Sequence, residues 1–233
     1  MGSLDTKLSG GYPKGKGILI TGVPGSGKTI LGLHSINNCC IEGKKCIIIA
    51  TEESPADILY QADILGLDLA SYYDSGQLII ERILEKRMYS VDQLSKLGYG
   101  YDVSEINILD IPAMVPADTQ LVVIDNLGVF VLDMSVKEFR GQFDAINHLL
   151  SEKGCTTLFI MDMAAYEMTN HIADYSVYGA IRLLVKENPY TSNMERYLSI
   201  PKMRSTEISL ELSNFTITSK GIVLGKSNDE SKT

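Results

Sequence analysis

The chain has 233 residues, 45% of them hydrophobic, enough to bury one sizeable core. A formal net charge of −8 argues against a protein whose main work is coating nucleic acid, although a local basic stripe could still do so. No apolar run is long enough to span a bilayer, and Cys39, Cys40, Cys46 and Cys155 lack C-x-x-C spacing, so buried thiols in a cytoplasmic protein are expected ahead of zinc or redox roles.

Residues 17–21 (GILIT) form a short apolar run leading into glycines, a buried strand feeding a loop. Residues 28–42 read as a helix stopped by Gly43. Residues 45–51 (KCIIIAT) are a second buried strand. Pro55 then suits the first turn of a helix running to about Leu65, which Gly66 closes. Residues 78–82 and 121–125 (LVVID) are the third and fourth strands. Residues 137–153 predict a helix with Phe139, Phe143, Ile146 and Leu150 on one face, and residues 156–161 a fifth strand. Buried strands alternating with helices predict an α/β fold, a mostly parallel twisted sheet flanked by helices.

After Tyr178 the pattern changes. Residues 180–185, 196–200, 209–212 and 215–218 are short strands separated by turns, expected to extend the sheet in antiparallel fashion. The stretch 85–120, with Pro112 and Pro116, is the least readable. Residues from Gly225 onward are polar and expected to be disordered. There is no internal repeat, so one domain over residues 1–224 and a tail over 225–233 are expected.

Gly22-Val23-Pro24-Gly25-Ser26-Gly27-Lys28-Thr29 fits G-x-x-x-x-G-K-T between a strand and a helix. The glycines let the backbone wrap so that its N–H groups point at a β-phosphate, and the following helix adds its positive dipole end. The expected nucleotide contacts run from Gly22 through Lys28 and Thr29 to Ile30. Lys28 would reach the β/γ oxygens, and the Thr29 hydroxyl would ligate Mg²⁺. A bare match arises by chance in about one chain in a hundred of this length, and the flanking strand and helix make chance far less able to explain it.

In a parallel sheet, ligands gather at the carboxyl ends of the strands. Asp125 follows Leu-Val-Val-Ile, where a carboxylate can hold Mg²⁺, with a helix-capping or turn aspartate as the plainer reading. Glu52 and Glu53 follow the second strand and could supply the base or water-orienting group of hydrolysis; the plainer reading makes them first-turn acids of the next helix. Farther along, Lys202-Met203-Arg204 ends an extended segment. Alternation puts the two cations on one face and Met203 opposite. A triphosphate between them would relieve their repulsion, whereas charge pattern alone favours a solvated strand end.

These motifs together resemble one group of ATPases. Leu4-Asp5, Leu8, Gly10-Gly11, Pro13 and Gly15 ahead of the P-loop look like the opening of KaiC domains and archaeal RadA paralogues. Thr51-Glu52-Glu53-Ser54-Pro55 resembles that family's strand-end glutamate pair, Lys202-Met203-Arg204-Ser205-Thr206 its K-x-R segment, and residues 215–222 its closing hairpin. The resemblance implies a RecA-like P-loop NTPase that assembles into rings or filaments, with ATP between subunits. It implies that Lys202 and Arg204 reach a neighbour's γ-phosphate, and that Met203, Thr206, Thr218 and Ser219 line the nucleotide. One such domain is expected where the circadian KaiC carries two, and the small N-terminal helical domain of the RadA recombinases is not expected. Asp162-Met163-Ala164-Ala165-Tyr166-Glu167 replaces a more polar segment usual in the group.

The first functional expectation is therefore an oligomeric ATP- and Mg²⁺-dependent ATPase with slow turnover. The second is a nucleotide-gated protein-binding module, with residues 85–120 as the partner surface. The third is a recombination-accessory DNA binder using Lys14, Lys16, Lys44, Lys45, Arg82, Lys86 and Arg87, which the acidic balance disfavours.

Overall fold

Strands buried on both faces are written as unbroken apolar runs, and these make the centre of the molecule. The structure is a computed structural model that describes residues 2–83, 107–131, 134–163, 167–218 and 221–225. Its strands are β1 (Gly17–Gly22), β2 (Lys45–Ala50), β3 (Leu78–Arg82), β4 (Thr119–Asp125), β5 (Thr156–Asp162), β6 (Gly179–Glu187), β7 (Met194–Met203), β8 (Ser213–Thr218) and β9 (Gly221–Leu224). They form one sheet in the order β3-β2-β4-β5-β1-β6-β7-β8-β9. Pairing is parallel from β3 to β6 and antiparallel from β6 to β9. A RecA-like parallel sheet with an antiparallel extension is thus what the chain adopts.

The helices are α1 (Gly2–Lys7), α2 (Lys28–Ile41), α3 (Pro55–Ile64), α4 (Leu69–Asp74), α5 (Ile111–Met114), α6 (Val136–Glu152) and α7 (Glu167–Ser176). Side chains alternate across each strand, so the sheet feeds two cores. Ile18, Ile20, Ile48 and Val123 pack with Leu31 and Ile36 of α2 on one face. Leu19, Ile47, Ile49, Val122 and Ile124 pack with Phe139, Phe143, Ile146 and Leu150 of α6 on the other, where Phe143 meets Phe159 edge-on at 4.9 Å. Capping boxes at Ser54 and Ser135 start α3 and α6, each satisfying orphan backbone N–H groups.

Several expectations need correction. Residues 209–212 are not a strand, because their alternating pattern has no face to bury; Leu210 is 73% exposed and Leu212 44%. Pro112, in the least readable stretch, does not prevent a short helix before β4. It occupies the first turn of α5, where a missing N–H costs nothing, after a 3₁₀ turn at Ile108–Asp110. Residues 84–106, the bulk of the expected partner surface, and residues 226–233 of the tail lie outside the described residues. Among the described residues, no helix is long and apolar enough to cross a membrane.

Candidate nucleotide site

The P-loop closes the carboxyl end of β1 and opens α2. Ser26 N–H donates to the Val23 carbonyl at 3.1 Å, folding the loop into a tight turn with Val23, Pro24 and Gly25 on its exposed crest. Glycine is required at two points. A Cβ on Gly22 would lie 2.4 Å from Ser26 Oγ, and Gly27 has φ 104°, the left-handed region, with Ile217 3.0 Å from where a Cβ would sit. The Ser26 hydroxyl is buried and has no partner among the described residues. An orphaned donor inside a ring of backbone amides is what an anion would satisfy.

Lys28, 8% exposed, folds back within its own loop. Its Nζ donates to the Gly22 and Val23 carbonyls at 3.0 and 3.2 Å and pairs with Asp162 at 2.6 Å. Asn126 Nδ2 holds the second Asp162 oxygen at 2.9 Å, and Thr51 Oγ1 bonds both the N–H and the carbonyl of Asn126. The carboxyl ends of β1, β2, β4 and β5 are thereby tied together around the lysine. Ile30 follows Thr29 in the first turn of α2, half-buried against the core.

Beside the loop lies a cavity lined by Thr29, Glu52, Glu53 and Asp125 over an apolar floor of Leu33, Ile48, Ala50, Ile58 and Val123. The Thr29 hydroxyl hydrogen-bonds Asp125, and Gln61 Nε2 holds Glu53 Oε1 at 2.8 Å, while Glu52 is exposed. Burial pushes the Asp125 carboxyl up to about 6; Thr29 and the Lys28 charge oppose the rise, and Glu53 and Glu52 add to it. A carboxylate raised above its unfolded value of 3.8 stabilises the fold below that value and loses the contribution as pH rises through about 6. Ionised Asp125 therefore costs about 2–3 kcal/mol at neutral pH. In metal-free, nucleotide-free buffer, Asp125→Asn is expected to raise the unfolding midpoint at pH 7.5 and to change it little at pH 4. Chemical denaturation at both pH values checks this, and an equal loss of stability at each would contradict it.

The residues at the end of β7 lie away from this chain's own P-loop. Lys202 Nζ donates to the carbonyls of Asp174, Tyr175 and Val177 at 2.6, 3.2 and 2.7 Å, and Arg204 Nη2 reaches Tyr175 O at 3.3 Å. Both cations thus cap the carboxyl end of α7, on one face as the alternation predicts. Burial, with Arg204 close by, lowers the Lys202 ammonium below the usual lysine range, against the pull of Asp174. Met203 points the opposite way, buried against Gly179, whose Cβ would fall 2.3 Å from its sulfur. Thr206 Oγ1 turns to the Arg204 carbonyl at 3.3 Å. Thr218 instead ends β8, next to Ile217 on the P-loop, and Ser219 lies outside the described residues.

Of the basic residues considered for DNA, Lys44 pairs with Glu42, Lys45 with Asp118, and Lys16 lies 5.6 Å from the Tyr178 ring centre. Lys86 and Arg87 lie outside the described residues.

Comparison with protein families matches residues 2–229 to the family described as ATPase: KaiC. The chain belongs to the KaiC ATPase family. A UPF0273 protein of Thermotoga maritima is 29% identical over 231 residues, covering 95% of this chain and 92% of its own length. Another from Pyrococcus horikoshii is 27% identical, covering 95% and 90%. Among solved structures, a KaiC-like protein from the hyperthermophilic archaeon Pyrococcus horikoshii superposes with TM-score 0.74 at 26% identity, covering 95% of this chain and 94% of that one. The KaiC-family fold accounts for the P-loop at the end of β1 and for the antiparallel strands beyond β6.

Sequence reasoning did not select Asp162, Asn126, Thr51 or Arg196. Asp162 had a readable signal, a carboxylate at the end of a buried strand, as at Asp125. Arg196 Nη2 lies 3.4 Å from the Gly25 carbonyl, a contact between positions 171 residues apart that no local pattern announces.

Proposed function

We propose that this KaiC-family chain is a magnesium-dependent ATPase acting as an oligomeric, nucleotide-driven switch, with ATP bound between neighbouring copies. The observation that carries the reading is the position of Arg204 relative to its own P-loop. Gly22 pairs with Leu183 and Leu183 with Leu198, whereas Lys202 pairs with Ala180, level with Leu19. Lys202 therefore sits about 10 Å back along the sheet from the loop, and Arg204 farther still. A triphosphate met by Arg204 would belong to another copy of the chain.

The site's chemistry suits a magnesium nucleotide. The unpartnered Ser26 hydroxyl, the glycine cradle and Lys28 favour phosphate oxygens, and Thr29 with Asp125 offers two oxygen donors, in keeping with a cation that retains several waters. Bound magnesium would neutralise charge on the β- and γ-phosphates. Asp162 holds Lys28 aimed across the loop. Glu52 and Glu53, facing the same cavity, orient water and accept its proton as it attacks the γ-phosphorus. Arg204, coming from the neighbour, stabilises the charge that develops, while Lys202 fixes the segment that presents it by capping α7.

Particle mass in solution, measured with and without ATP and Mg²⁺, tests the reading. A larger, discrete assembly with ATP is expected. A monomer under both conditions, at concentrations where ATP is hydrolysed, would overturn it.

A further inference from the structure

The fold brings together three of the four cysteines, which lie on two elements. α2 ends at Ile41 and Gly43 turns the chain with φ 74°. Lys44 N–H then donates back to the Cys39 carbonyl at 3.2 Å, and Gly43 N–H to the Cys40 carbonyl at 2.9 Å. Gln77 Nε2 clamps the return by donating to the Cys40 and Lys44 carbonyls at 2.7 and 3.0 Å. β2 thus starts directly beside the last turn of α2, and Cys46 enters the same apolar cluster as Cys40, with Cys39 packed at its edge. The Cys46 thiol donates to the Lys44 carbonyl at 3.7 Å and has the Cys39 and Cys40 thiols within interaction reach. Cys40 and Cys46 are buried, whereas Cys39 is partly exposed. Cys155 stays apart in the other core, donating to the Thr119 carbonyl at 3.2 Å.

We propose that Cys39 and Cys46 are a redox-active dithiol that closes to a disulfide, fastening the end of α2 to the start of β2. Cys39 is the attacking sulfur. It is the thiol that a small oxidant can reach, and its interaction with Cys46, helped by the Lys44 charge, makes it more acidic than an ordinary cysteine despite burial and Glu42. With a low-molecular-weight disulfide as oxidant, the Cys39 thiolate attacks one of its sulfurs, forming a mixed disulfide and releasing one thiolate. Cys46 gives up its proton to solvent and attacks the Cys39 sulfur, and the second thiolate leaves. The protein loses two protons and two electrons, and the oxidant becomes two thiols. The bond would tie together the helix that begins with Lys28 and Thr29 and the strand that leads to Glu52 and Glu53. The proposal stands on the thiol cluster and not on the nucleotide reading.

The test uses the reduced full chain incubated with glutathione disulfide, followed by alkylation, intact mass measurement and peptide mapping. The expected product has lost two hydrogens, carries a Cys39–Cys46 linked peptide and leaves Cys40 and Cys155 alkylated. Cys40→Ser should still form the bond, and Cys39→Ser should not. Four alkylated thiols, a stable glutathione adduct at Cys39, or a Cys40–Cys46 link in the unaltered chain would each overturn the proposal.

Discussion

Arg204→Ala is expected to slow ATP turnover by about 10³-fold or more while leaving nucleotide affinity nearly unchanged. The guanidinium is exposed and its one described bond is a 3.3 Å contact with the Tyr175 carbonyl, so its removal takes little from the fold. Lys202 is a poorer choice. Its three bonds to the end of α7 mean that alanine there would strip a helix cap along with any effect on phosphate. Lysine at 204 should restore only part of the rate, because a point charge lacks the planar fork of arginine. The action between copies has its own signature. Mixing Arg204→Ala chains with Lys28→Ala chains, each inactive alone, should regain measurable turnover where an intact P-loop faces an intact arginine. Unchanged turnover for Arg204→Ala, or no recovery in a mixed assembly shown by mass to contain both chains, would remove the assignment.

Glutamine at Glu52 or at Glu53 is expected to lower single-turnover phosphate release by about 10²–10⁴-fold at one of the two positions, with ATP still bound. Both carboxylates line the cavity with Thr29 and Asp125, so both are placed to meet a water there. They differ in exposure: Glu53 is half-buried and bonded by Gln61, whereas Glu52 is exposed. Burial favours a water-orienting role and contact with solvent favours proton pick-up, and the position with the larger loss distinguishes them. Rates within threefold of the unaltered protein at both positions would take the base away from this pair.

The parts of the chain that could be read in advance were those whose cause is local. Residues 45–50 and 121–125 are strands because an apolar run of that length, bounded by glycine or a carboxylate, has no other low-energy use in a two-faced sheet. The P-loop was legible because its glycines are needed by backbone conformation and close approach, whatever surrounds it. What escaped was decided by distant partners. α7 has the sequence EMTNHIADYS, too polar for its period to stand out, and it is held by Ala173 and the neighbouring Val177 in the core and by Lys202 across 28 residues. Met203 shares its segment with two cations, but its place is set by the missing side chain of Gly179 on β6. The tie between Lys28 and Asp162 depends on β1 and β5 being neighbours, which strand order alone decides.

Binding of ATP with Mg²⁺ by the purified chain, titrated calorimetrically beside Lys28→Ala, tests the central claim most directly. One nucleotide per chain is expected for the unaltered protein, with affinity reduced by about 10²-fold or more in the variant, equivalent to at least about 2.7 kcal/mol. Folded protein that takes up no nucleotide at millimolar ATP, or equal affinity in the two chains, would contradict it.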